Sequence, residues 1–335
     1  MSLEGCDRMD IKAKIKEWIL PLAMLTGASA YLTYHSLPEH LHKAGPLLED
    51  IMGFIQPTLI FAMLFLTFCR VEPKGLRPRK WHLWLLMIQV GFFTALGCVV
   101  YALMTYLPEK GNDLVLLIEC AMVCLICPTA TAAAVVTRKL GGDVAGITTY
   151  TILINVVVAV LVPLVVPVIH PFGGMSFILA FSLILAKIFP LLILPCLAAW
   201  LVRYLLPKLH AKLLEYPDLA FYIWTVALTL AIAMTVRYIV RSDIGPGLMA
   251  LVGLVSLVCC AFQFFMGRRI GGTLQSEADS ETDERVTAGQ SLGQKNTVFA
   301  IWMGYTFLLP ESAIAGGFYT LWHNLFNAWQ LRRRK

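Results

Sequence analysis

Lys295 is the side chain with most chemistry to offer, because it interrupts an apolar stretch between Gln294 and Asn296-Thr297. An ammonium at membrane depth is costly and ordinarily faces a cavity or a partner. It could hold an anionic substrate or stand in for a coupling cation; the plain alternative puts it near the interface. A second interruption, Pro128-Thr129-Ala130-Thr131, follows LLIECAMVCLIC (116–127) and precedes AAAVVTRKL. Pro128, Thr129 and Thr131 are expected to open a second helical fragment, since the missing proline N–H is no loss at a helix start. Asn296 and Thr297 open VFAIWMGYTFLL (298–309) in the same way. The unpaired amides of two such starts carry partial positive charge and attract anions. Thr129, Thr131, Lys295, Asn296 and Thr297 are therefore the candidate substrate site, against a simple proline kink at Pro128.

Further polar residues lie in apolar surroundings. Glu119 could carry a proton, pair with a buried base such as Lys187, or lie near the outer surface beside Asp113. Lys187 has a stem long enough to snorkel. Gln89 reads by default as a helix–helix hydrogen-bonding amide, with cavity lining as the alternative. Cys120, Cys124 and Cys127 share a helix at a spacing open to a soft metal or metalloid, and equally suit burial as small apolar side chains. The chain has no nucleophile triad, nucleotide loop or metalloprotease motif, so neither an enzyme nor a cofactor is expected.

The elements that position these residues follow from composition. Of 335 residues, 58% are hydrophobic and 14% charged, against about a quarter charged in soluble domains. The chain reads as a single all-α polytopic membrane domain. Spans need about 20 apolar residues, and ten fit: 18–35, 47–69, 81–107, 114–138 (broken), 144–169, 175–206, 215–240, 246–271, 286–309 (broken) and 311–331. Lys12, Lys14, Lys16, Arg70, Lys74, Arg77, Arg79, Lys80, Arg138, Lys139, Arg203, Lys208, Lys212, Arg268, Arg269, Arg285 and Arg332–Lys335 then fall on one side. Only Lys43, Lys110, Arg237 and Arg241 fall on the other. The positive-inside rule makes both termini cytoplasmic, in the cell's inner membrane. Topology thus accounts for the net charge of +6, and no nucleic acid partner is implied. The N-terminus lacks a cleavage pattern, so no signal or transit peptide is expected. Nine cysteines, mostly in apolar stretches, do not form a disulfide framework. The acidic stretch 274–285 reads as a solvated linker.

Five spans per half give a 5+5 inverted repeat in which each fourth span is broken. Helix breaks at membrane depth are tolerated only when buried or lining a cavity, and a matched pair points to a transporter's binding site.

LIFAMLFLTFCRVEP (59–73), MIQVGFF (87–93), CPTATAAAVVTRKLGGDVAGITT (127–149), MGRRIGG (266–272) and QSLGQKNTVFA (290–300) resemble the bile acid/sodium symporter family over nearly the whole chain. The resemblance implies ten helices in an inverted repeat, with broken fourth and ninth helices crossing. It implies a core (81–169 and 246–331) that moves against a panel (18–69 and 175–240) to carry organic anions with sodium. Thr131 and Asn296 match substrate-contacting positions; Gln89 and Thr151 match sodium-site positions. Elsewhere the pattern departs. A Ser-Asn pair is Ala133-Ala134, a hydroxyl is Ile147, and Glu-x-Gly-x-Gln-Asn reads Ser291-Leu292-Gly293-Gln294-Lys295-Asn296. Hard cations need oxygen ligands and negative charge. The expectation is a sodium-independent carrier of a small or amphipathic organic anion, working by alternating access. Lys295, helped by Gln89, Thr151, Ser291 and Gln294, occupies the coupling-ion region. The rivals are a metalloid exporter resembling the arsenite carriers and a non-transporting receptor or scaffold.

Overall fold

The computed structural model describes residues 21–37, 45–106, 112–171, 174–216, 218–275 and 282–333. Lys12, Lys14, Lys16, Lys43, Lys110 and the end of the terminal basic run lie outside them. Helix α1 runs through 21–35, followed by α2 (Gly45–Cys69), α3 (Lys80–Tyr106), α4 (Asn112–Ile126), α5 (Ala133–Lys139), α6 (Val144–Ile169) and α7 (Phe177–Leu192). Then come α8 (Leu194–Leu205), α9 (Pro207–Leu214), α10 (Leu219–Arg241), α11 (Pro246–Thr273), α12 (Glu284–Gly293), α13 (Thr297–Phe307) and α14 (Ala313–Arg333). Helix therefore falls within every one of the ten expected segments. Among the described residues, five helices are individually long and apolar enough to cross a membrane, and six if α7 and α8 form one bent span.

Local chemistry explains the boundaries. Asp143, Asp283 and Asn296 cap α6, α12 and α13, their side chains accepting from the amides of Ala145, Val286 and Phe299, as short polar residues do at helix starts. Pro190 within α7 and Pro195 at the start of α8 flank a 42° bend at Ile193, where proline removes a helical donor. The short amphipathic α9 was not anticipated; Pro207 opens it at a position where no N–H is needed.

Exposed large apolar side chains, among them Leu25, Phe54, Ile178, Val258, Phe265 and Leu325, are spread over many helices. A soluble protein rarely exposes so much contiguous apolar surface. These helices make a multi-pass membrane protein.

Helix α2 packs on α8 and α10, while α11 packs on α4, α12 and α14. Helices α11 and α12 approach closely. A Cβ on Gly267 would press on the Ala288 carbonyl, and one on Gly271 on the Glu284 carbonyl. This Gly-xxx-Gly pair lets two backbones touch where larger residues would hold them apart. Gly271→Ala is expected to lower thermal stability in detergent by about 1–3 kcal/mol. Gly247→Ala, with nothing within 4 Å of the added carbon, serves as control; equal behaviour of the two variants would contradict this packing account.

Candidate functional site

The two interruptions meet. Thr129 and Lys295 form an antiparallel bridge, in which the Ala130 amide donates to the Gln294 carbonyl and the Asn296 amide to the Pro128 carbonyl, both at 2.8 Å. Four backbone groups that lipid could not satisfy thus satisfy one another. The Thr129 hydroxyl adds a bond to the Ser291 carbonyl at 2.7 Å. Helices α5 and α12 pack together on one side of this crossing, and α4 and α13 on the other.

One expectation is corrected. Pro128, Thr129 and Thr131 do not begin the second fragment of the first break. Residues 128–132 are non-helical and α5 starts only at Ala133. The backbone of 128–130 is committed to the facing segment, so it cannot wind into a first turn. In the second half the expected start holds: Asn296 caps α13 and Thr297 opens it.

Behind the bridge, glutamine and tyrosine side chains finish the interrupted helices. Gln89 on α3 donates to the Leu125 carbonyl at 2.6 Å and accepts from the Tyr150 hydroxyl. Gln263 on α11 donates to the Cys124 carbonyl at 3.1 Å and to the Tyr319 hydroxyl at 3.0 Å, and Tyr319 donates to the Gly293 carbonyl at 2.8 Å. The last carbonyls of α4 and α12, orphaned by the breaks, are held this way. A Gln–Tyr pair therefore stands on α3 and α6 and another on α11 and α14. Tyr150, Gln263 and Tyr319 were not anticipated. The signal available was a second glutamine within an apolar span, in segment 246–271 as Gln89 is in segment 81–107.

The site is rich in buried polar atoms without partners. Among the described residues, Lys295 Nζ, Gln294 Oε1, Asn296 Nδ2 and Ser291 Oγ have no hydrogen-bond partner, although all four residues are buried. Such atoms are rare in proteins, and each unsatisfied one costs roughly 1–3 kcal/mol, more when charged. The thiols of Cys127, Cys124, Cys260 and Cys259 stand near Lys295.

The remaining candidates separate. Thr131 is half-buried at the edge of the crossing. Thr151 turns its hydroxyl back to the Ile147 carbonyl of its own helix at 2.9 Å. Glu119 lies two turns before the end of α4, fully buried, and its base is His170 at 2.6 Å, not Lys187. Lys187 is exposed along a recess of ≈ 260 Å³ shared with Leu183, Ile184, Thr306 and Phe307. Among the described residues no three His, Cys, Asp or Glu side chains converge as a metal site requires; Cys124 points its thiol at the Ala315 carbonyl.

Buried Gln56 on α2, also unanticipated, donates to the Val298 carbonyl at 3.4 Å and accepts from Tyr305 at 3.1 Å. It ties α2 to the first turn of α13.

No curated protein matches the chain. A sequence profile of the SBF-like CPA transporter family, a group similar to the bile acid/sodium symporters, matches residues 40–332. That match runs through α2 to α14 and takes in both breaks, Lys295 and its surroundings, so the chain belongs to the SBF-like CPA transporter family and is a membrane transporter.

Proposed function

We propose that this protein carries a small or amphipathic organic anion by alternating access, without sodium, using the Lys295 ammonium as the fixed positive charge of the site. The observation that carries the reading is a fully buried ammonium with no hydrogen-bond partner among the described residues, at the crossing of two broken helices. A buried charge in that state is strongly unfavourable until it is paired, and an arriving carboxylate or sulfonate pairs it. The orphaned Asn296 amide nitrogen and the first turn of α13 add donors to the same anion.

Apolar side chains argue against sodium. Ala133 and Ile147, at positions that resemble sodium-ligand positions, are buried and offer no oxygen from their side chains. Gln89 is committed at both ends of its amide to the protein itself. Hard cations need several oxygens.

The ten-span inverted repeat with cytoplasmic termini is part of the proposal, supported by the matched breaks and the two Gln–Tyr pairs. So is the division into a core (81–169 and 246–331) and a panel (18–69 and 175–240), supported by the packing of α2 with α8 and α10 and of α11 with α4, α12 and α14. In that arrangement the contact of Gln56 with α13 crosses from panel to core and must be remade during the cycle. The Lys187 recess joins a cation to an apolar wall, which suits an amphipathic anion.

The test is a thermal-shift screen of carboxylates, sulfonates and their amphipathic conjugates, followed by uptake into proteoliposomes. Binding and uptake of the best anion are expected to change less than twofold when choline or potassium replaces sodium at fixed ionic strength. A saturable sodium requirement would overturn the sodium-free part of the reading. The absence of any stabilising anion would overturn the organic-anion reading.

A further inference from the structure

At the end of the bundle remote from Arg79, a recess of ≈ 330 Å³ is lined by Asp113, His170, Asp243, Leu309 and Glu311. His170 closes α6 as its C-cap residue, with its side chain 21% exposed. Its Nε2 lies 2.6 Å from Oε1 of Glu119, whose side chain is completely buried. The other carboxylate oxygen of Glu119 accepts from the Leu309 backbone amide at 2.7 Å. Leu309 follows the end of α13 and precedes the 3-10 turn Pro310–Ser312.

One carboxylate therefore holds three elements together: its own α4, the end of α6 and the end of α13. Two of these are the fragments of the broken spans on that side of the crossing. The imidazole lines the recess, and the carboxylate it contacts is fully buried.

We propose that Glu119 and His170 form a proton-binding site loaded from this recess, and that its proton sets how firmly the outer end of α13 is held. Neutral His170 donates its Nε2 proton to the carboxylate. A second proton on the ring makes the contact an ion pair, so that coulombic attraction is added to a hydrogen bond whose acceptor is already charged. Acid tightens the pin and base loosens it. The groups facing the pair are Asp113 and Cys120 on α4, Glu311 after α13, and Asp243 after α10. Arg237 and Arg241 end α10 beside them, each with partners of its own. A proton site here would make release of α13 depend on the pH of one compartment. It rests on the transport reading only for the side of the membrane that the recess faces.

The test needs no transported anion, so its failure is separate from failure of that reading. Amide hydrogen exchange is followed at Leu309 and the last turn of α13 from about pH 8 to about pH 5.5, the range in which imidazole changes charge. Rates are corrected for the intrinsic effect of pH. Protection at Leu309 is expected to rise roughly three- to tenfold on acidification, while the α12 start shows no such change. His170→Gln fixes a neutral donor and should hold protection at the alkaline level. His170→Arg fixes a positive charge and should hold it at the acid level. In proteoliposomes, only the pH on the recess side should matter. Protection in the wild type that is flat with pH, or that varies equally in whichever variant folds, would overturn the proposal.

Discussion

Replacing Arg79 by alanine is expected to destabilise the folded protein by about 3 kcal/mol. Arg79, just before α3, bridges two carboxylates. It pairs with Asp143, the N-cap of α6, at 2.8 Å, and with Glu284, the first residue of α12. The Glu284 side chain is only 2% exposed, whereas a quarter of Arg79 still reaches solvent. Truncating one member of a buried pair costs about 3–5 kcal/mol because the other charge is left uncompensated. Partial exposure places this case at the lower end. The neighbourhood amplifies the loss. The Asp143 amide bonds to Thr287 and the Asp283 amide to the Gly141 carbonyl, with Gly141 at φ 72° making the turn. Arg79→Lys should recover only part of the stability, since a single ammonium cannot span both carboxylates as a guanidinium fork does. Thermal unfolding in detergent measures this. A loss under about 0.5 kcal/mol, the level of an exposed pair, would show that the triad does not hold α3, α6 and α12 together.

The second large effect concerns Lys295, where two accounts make opposite statements about stability. If the lysine merely plugs an old cation site and holds the crossing together, Lys295→Met should weaken the fold. If it is an anion-binding charge, the free protein carries its burial as a cost, and Lys295→Met should fold at least as stably as the wild type. Binding should move the other way. Removing one partner of a buried charge pair costs about 2–5 kcal/mol, or roughly 30-fold to a few thousand-fold in affinity. Lys295→Gln keeps a donor but not the charge, and should fall between. Gain of stability with loss of function is the trade expected of a strained functional site.

How much of this could be read from the chain depends on the range of the interaction. The breaks at Pro128–Thr131 and Gln294–Asn296 are legible because proline and polar residues interrupt otherwise continuous apolar runs, and their matched places in the two halves point to the crossing. The start of α5 at Ala133 was not legible. It is set by hydrogen bonds to Gln294 and Asn296, more than 160 residues away, which override the local preference of proline for a helix start. The partner of Glu119 was missed for the same reason: His170 is brought to it by the length and direction of α6, and no spacing encodes that. Gln263 and Tyr319 were within reach, since Gln89 had already been singled out in the corresponding span of the first half. Exposure of Lys187 depends on which face of α7 packs on α6 and α2, and apolar residues surround it on all sides in the sequence.

The central claim is that the Lys295 charge binds the transported anion. Calorimetric titration of the anion selected by the sodium-free screen, into wild type, Lys295→Met and Lys295→Gln, tests it most directly. The account predicts that both variants fold and that Lys295→Met loses at least about 30-fold in affinity. Two folded variants that bind the anion with unchanged affinity would contradict it.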